Sequence, residues 1–299
     1  LSDPNVPSTP LGLIAGEGIF PILVARGARQ AGRRVVCASI GGFASPDVRH
    51  HVDVHRSVGV VRIGQWIRVL RSHGVREAIM VGRVPKRAMY ARGPVGRFLQ
   101  FVPDLRTISL YVRRIRKDRR DHALLRAVAD ELASAGIRLI DSTTYVKDQL
   151  ASPGVMTRKQ PTDRQWDDIR FGFPLCRTIG QMDIGQAIAI LDKDVIAVEA
   201  IEGTNAMIDR AGQFCRSGGW TLVKTGNVNA DMRFDVPTIG TTTIEHLHAA
   251  RAGCLAMEVG KTILLDRDAV LALADRYGIA VVGVDEDFLA PRSGQTSGS

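Results

Sequence analysis

The sequence predicts an α/β fold in two domains, the first a Rossmann-like, mostly parallel sheet, with a ligand cleft between them. Three observations predict it. Short apolar runs alternate with amphipathic stretches closed by glycine from residue 11 to 143. That rhythm stops in a polar, proline-bearing segment at 145–165 and resumes from 168 to 285. Hydrophobic residues make up 45% of the chain and charged residues 24%, a globular balance, and 299 residues suffice for two domains of ordinary size. Strands that alternate with helices favour a parallel sheet covered on both sides.

Element by element, "LGLIAG" (11–16) reads as a buried strand and "IFPILVARGARQAG" (19–32) as a helix closed by glycine. "RRVVCASIGG" (33–42) is a second strand, "IGQWIRVLRSHG" (63–74) a helix and "VREAIMVG" (75–82) a third strand. "DHALLRAVADELASAG" (121–136) has a strong helical period, and "IRLIDST" (137–143) follows as a strand. The segment 145–165 reads as linker. In the second half a helix and a strand are expected over 168–191, a strand at 194–202, a helix at 205–219 and a strand at 220–226. "DMRFDV" (231–236) alternates charged and apolar residues, the pattern of a half-buried strand. A helix at 240–254, strand signals at 255–266, a helix at 267–278 and a strand at 279–285 complete the series. The expected domains are 11–140 and 141–288. The Pro/Gly/Ser-rich ends, 1–10 and 289–299, read as disordered tails.

No apolar run approaches the roughly 20 residues that span a bilayer, and the start lacks the charged and apolar regions of a signal peptide. Cys37, Cys176, Cys215 and Cys254 form no CxxC pair and read as buried free thiols in a reducing cytoplasm. A net charge of +9 points to anionic partners. Much of it lies in 97–120, where Leu105, Ile108, Val112 and Ile115 follow helical spacing among many arginines. This basic amphipathic helix is either a solvated face or a contact for an anionic membrane surface or substrate; the sparse aromatics argue against nucleic acid.

Motif by motif, "LIAGEGIFP" places a glycine-rich turn between a strand and a helix. Pro21 occupies the third glycine position of a dinucleotide fingerprint and the second strand ends without an acid, so an NAD site is not indicated. The turn residues Gly16, Glu17 and Gly18 are candidates for binding a phosphate or sugar hydroxyls through backbone N–H groups, and Glu17 favours hydroxyls. "GKT" at 260–262 lacks the rest of a P-loop, the histidines have no metal-ligand spacing, and no G-x-S-x-G is present. The densest polar investment runs from 180 to 240. It includes Gln186, Glu199, Glu202, Thr204, Asn205, Lys224, Asn227, Asn229, Asp231, Arg233 and Asp235. Carboxylates beside a lysine and an arginine at strand ends suit a magnesium–phosphate site, with Asp231 and Asp235 as metal ligands; the alternative is a solvated sheet rim.

The strings "EGTNAM" and "DMRFDVPTIG", with "DIGQAIAIL", "LVK" and "LGLIAGEGIFPILVARGARQAG", resemble the LpxI family from about Leu11 to Asp285. These are UDP-2,3-diacylglucosamine diphosphatases of Gram-negative lipid A synthesis. The resemblance implies an Mg²⁺-dependent cytoplasmic hydrolase, peripheral at the inner membrane and homodimeric. It implies cleavage to UMP and 2,3-diacylglucosamine 1-phosphate (lipid X) by water attack on the sugar-side phosphate. Asp231 then corresponds to the essential acid, as metal ligand or as general base, with Lys224 and Arg233 as the other candidate catalytic residues. Gln186, Glu202, Thr204 and Asn205 become candidate substrate contacts. A non-catalytic carrier or sensor of nucleotide sugars or acylated sugars is the alternative reading.

Overall fold

The computed structural model describes residues 9–84, 102–115, 121–226, 231–234, 236–285 and 288; at 114, 115, 121 and 122 it describes the backbone alone. The chain divides into two compact units, Leu1–Lys147 with Asp231–Asp235, and Asp148–Ala230 with Val236–Ser299.

The first unit runs β1 (Leu11–Ala15), α1 (Phe20–Gln30), β2 (Val35–Ile40), β3 (Val54–Val58), α2 (Ile63–Ser72), β4 (Glu77–Val81), α3 (Leu105–Leu110), α4 (Asp121–Ser134) and β5 (Arg138–Leu139). Among the described residues its five strands are all parallel, in the order β3-β2-β1-β4-β5. Every residue of β1 and β2 is buried, as parallel strands covered on both faces require. Ile14, Val36, Ala38 and Ala78 share a core with Trp66, Leu70, Val128 and Leu132 from the helices. The strand order reverses between β1 and β4, and there the chain passes very close to itself. Gly82 has φ +94°, and a Cβ on it would stand 2.6 Å from the carbonyl carbon of Gly16.

The second unit comprises β6 (Gly154–Val155), α5 (Asp163–Gln181), β7 (Ala187–Leu191), β8 (Asp194–Val198), α6 (Thr204–Phe214), β9 (Thr221–Lys224), β10 (Thr238–Ile239), α7 (Thr241–Ala249), β11 (Cys254–Glu258), β12 (Ile263–Leu264), α8 (Arg267–Tyr277) and β13 (Ala280–Val284). Its main sheet has the order β6-β13-β11-β9-β7-β8. Strands β13, β11 and β9 are parallel, while β7 runs antiparallel to both β9 and β8. The period-two pattern divides the core cleanly. Ala189, Leu222, Leu255 and Val281 pack against α6, α7 and α8, while Ile188, Val223, Ala256 and Val282 pack against Ile169, Phe173 and Cys176 of α5. All four cysteines are free and buried, and burial pushes the Cys176 thiol up to about 11.

Four local expectations change. Helix α5 begins inside the expected linker, because Thr162 and Gln165 form a capping box. The expected strand 137–143 shortens to β5, since the Asp141 carboxylate accepts from the Thr143 N–H and hydroxyl and turns the chain. Of the basic helix, α3 is followed by a π-helical turn at Tyr111–Ile115; residues 97–101 and 116–120 lie outside the described residues. The stretch from Asp231 to Phe234 is a turn rather than a half-buried strand.

Replacing Gly82 with alanine is expected to cost about 2–4 kcal/mol, from the left-handed backbone and the overlap with Gly16 together. Chemical denaturation checks this; an unchanged midpoint contradicts the close crossing.

Candidate active-site groups

In the first unit, the strand-order reversal puts a topological switch point at the carboxyl ends of β1 and β4, the usual ligand position in such sheets. The candidate turn lies there. Its backbone is largely committed: Gly16 N–H donates to Val81 O at 2.8 Å, and Glu17 N–H to Arg83 O at 2.8 Å. Glu17 and Arg83 thereby form an isolated antiparallel bridge across the switch point. Gly16 is buried, whereas Glu17 and Gly18 are exposed, with Gly18 at φ +104° and open space on its Cβ side.

Asp231 and Arg233 also belong to this unit. The Met232 carbonyl accepts from both the backbone N–H and the hydroxyl of Ser142, just past β5, at 3.0 and 2.8 Å. Phe234 packs on the core of the same unit. The alternating charges therefore do not line a strand face. Phe234 N–H bonds back to Asp231 O at 3.0 Å, and the Asp231 carboxylate accepts from the backbone N–H of Arg233 at 3.2 Å. Arg233 then closes on the carboxylate with Nε to Oδ1 at 2.8 Å and Nη2 to Oδ2 at 2.5 Å. A short polar side chain that satisfies nearby backbone N–H groups prefers a turn to a ladder, and the guanidinium fork matches a carboxylate with two bonds. The Arg233 side-chain bonds hold the Asp231 carboxyl below the usual carboxylate range, with Arg126 of α4 adding a smaller contribution.

In the second unit, β8 and β9 end at the same sheet edge at which β7 begins. Lys224 is the last residue of β9 and its side chain is only 2% exposed. Its ammonium donates to Thr204 Oγ1 at 2.9 Å and lies 3.8 Å from Glu199 Oε2. The Thr204 hydroxyl donates in turn to Glu199 Oε1 at 2.7 Å, and the Gln186 N–H points at Glu199 Oε2 from 3.4 Å. Lys224, Thr204 and Gln186 thus come together around Glu199. Glu202 does not join them: its carboxylate pairs with Arg210 and with the Ala200 N–H. Asn205 accepts from the Thr243 hydroxyl at 3.1 Å and ties α6 to α7. Asp235, Asn227 and Asn229 lie outside the described residues.

Among the described residues no three His, Cys, Asp or Glu side chains gather as a metal cage. Magnesium needs less than that, since one or two carboxylates with water and substrate phosphates complete its shell. Arg233 supplies three donors to Asp231, and a carboxylate has about four acceptor sites, so a site on Oδ2 fits a single hard cation.

The model for the LpxI N-terminal domain matches residues 10–149, and that for the LpxI C-terminal domain matches residues 152–282. The chain belongs to the LpxI family. It is also 33% identical over 285 residues to the UDP-2,3-diacylglucosamine pyrophosphatase LpxI of Caulobacter vibrioides, covering 92% of this chain and 97% of that relative. In this LpxI chain the C-terminal family match includes Asp231, whereas the packing assigns Asp231–Asp235 to the first unit.

Two glutamates that were given no individual role from the sequence stand at the carboxyl ends of strands in the second sheet. Glu199 follows β8 directly, and Glu258 ends β11, where it accepts from the Gly226 N–H at 2.8 Å. The available signal was their position as the first acid after an apolar strand.

Arg233→Met is expected to raise the Asp231 carboxyl toward the ordinary value of about 3.9. Because the native carboxyl is depressed, the pair stabilises the turn above the unfolded-state range, and that contribution fades as pH falls through the native value. Carboxyl-carbon NMR of both proteins reads the shift; coincident titrations contradict the pairing.

Proposed function

We propose that this chain is a UDP-2,3-diacylglucosamine pyrophosphatase, releasing UMP and 2,3-diacylglucosamine 1-phosphate by water attack on the sugar-side phosphate in lipid A synthesis. The observation that carries the reading is the end-to-end similarity to a relative bearing that activity in its name, 97% of whose length is covered. The residues suit the chemistry. Hydrolysis of a diphosphate ester requires its negative charge to be offset and the leaving phosphate stabilised.

In this reading Asp231 is the carboxylate that holds Mg²⁺, and Arg233 keeps it ionised and oriented. Bound there, the metal supplies Lewis-acid stabilisation of the phosphoryl oxygens. The paired, low-titrating carboxyl suits a metal ligand better than a general base, whose optimum lies near the working pH. Lys224 offsets phosphate charge from within the low-dielectric edge of the second sheet. A homodimer belongs to the same reading.

The lipid substrate also calls for access to a bilayer, and no helix among the described residues is long and apolar enough to cross one. Leu105 is 86% exposed and Val112 57%, beside Arg106 and Arg113. Apolar side chains flanked by arginines fit a face that rests on anionic lipid at the cytoplasmic side of the inner membrane.

Incubation with UDP-2,3-diacylglucosamine and Mg²⁺ is expected to release UMP, and chelator is expected to stop it. Asp231→Asn is expected to cut turnover by about a hundredfold or more with the fold intact, on the scale of losing a charge-stabilising group. Failure to release UMP sinks the enzymatic reading and leaves a carrier. For the membrane face, flotation with anionic vesicles is expected to fall at high salt and in Leu105→Ser; flotation indifferent to both rules that face out.

A further inference from the structure

We propose that Glu199 is a positioning residue for the Lys224 ammonium and acts through the Thr204 hydroxyl. This rests on the part assigned to Lys224 above. An ammonium that is 2% exposed is oriented by protein groups rather than by water. The hydroxyl between the two charges has one proton and two lone pairs, while an ionised carboxylate only accepts and an ammonium only donates. The proton therefore goes to Glu199 Oε1, at 2.7 Å, and a lone pair faces Lys224 Nζ, at 2.9 Å. Each charge reinforces the orientation set by the other.

The rest of the edge holds Glu199 still. Its N–H donates to Ala187 O at 2.9 Å, which continues the β7–β8 pairing one residue past the strand. Its carbonyl sits where residue 185 must lack a side chain, since a Cβ on Gly185 would stand 2.0 Å from that oxygen. Its second carboxylate oxygen lies 3.4 Å from the Gln186 N–H and 3.8 Å from the ammonium. Thr204 is the first residue of α6, whose N-cap, Gly203, has φ +83° and no side chain to cap with. The Thr204 hydroxyl lies between the lysine and Glu199. A purely structural ion pair would need no hydroxyl interposed; here the interposed group fixes where the charge points.

The test compares Glu199→Gln, Thr204→Val and Thr204→Ser in UMP release from UDP-2,3-diacylglucosamine with Mg²⁺, alongside thermal melting. Glu199→Gln and Thr204→Val are expected to lower kcat about tenfold or more with KM little changed, and Thr204→Ser to recover kcat to within about threefold of wild type. Thr204→Val is nearly isosteric and keeps the comparison readable if Glu199→Gln folds poorly. Thr204→Val and Thr204→Ser turning over alike overturns the proposal. So does a Glu199→Gln protein that melts lower yet keeps its kcat. Lys224→Met separates the two levels: if it loses turnover while Glu199→Gln and Thr204→Val keep it, only the positioning claim fails. If Lys224→Met turns over normally, the assigned part of Lys224 falls and the positioning claim falls with it.

Discussion

A positive charge at the end of a buried strand has to be compensated, and the edge of the second sheet is organised around that requirement. Lys224 continues a strand whose other residues, Thr221 to Val223, are fully buried, and its own side chain is almost wholly buried with them. Left without partners, such a charge costs several kcal/mol. Thr204 and Glu199 meet it, and they do so because β8 ends at Val198 and α6 starts at Thr204. The "EGT" turn between them serves that geometry. Gly203 takes the positive φ, Thr204 delivers the hydroxyl, and Glu202 leaves toward Arg210.

The first unit solves a different problem with a similar economy of parts. Asp231 and Arg233 neutralise one another within a four-residue turn that Ser142 anchors through the Met232 carbonyl. The Gly16–Gly82 crossing brings the carboxyl ends of β1 and β4 together at the switch point of a five-stranded parallel sheet. Both units thus place polar groups at the carboxyl ends of strands, the usual ligand position in such sheets.

The α/β class, the parallel first sheet and most helices were legible, because apolar periodicity and glycine stops agree with the packing at β1, α1, β2, α2 and β4. The β3 strand was not, since "VHRSV" is half exposed and its polar residues mask the period. Thr162 and Gln165 were legible in principle as a capping box, yet the surrounding prolines and charges read as linker. At 231–236 the alternation misled. A period of two shows only that alternate residues differ, and a local Asp–Arg pair offered the backbone a turn that outcompetes a ladder. In the "EAIEGTN" segment Glu199 meets the lysine, while Glu202 turns to Arg210. Which glutamate meets the lysine depends on strand pairing between β7 and β8, and that is a long-range fact no local pattern carries.

Thr204 and Glu199 hold Lys224 as a buried ammonium. Side-chain ¹⁵N NMR of the lysines at neutral pH tests it most directly. One Nζ resonance with ammonium character and slowly exchanging protons is expected, assigned to Lys224 by its loss in Lys224→Arg. A Lys224 signal with the shift of a neutral amine, or with the rapid exchange of surface lysines, would contradict it.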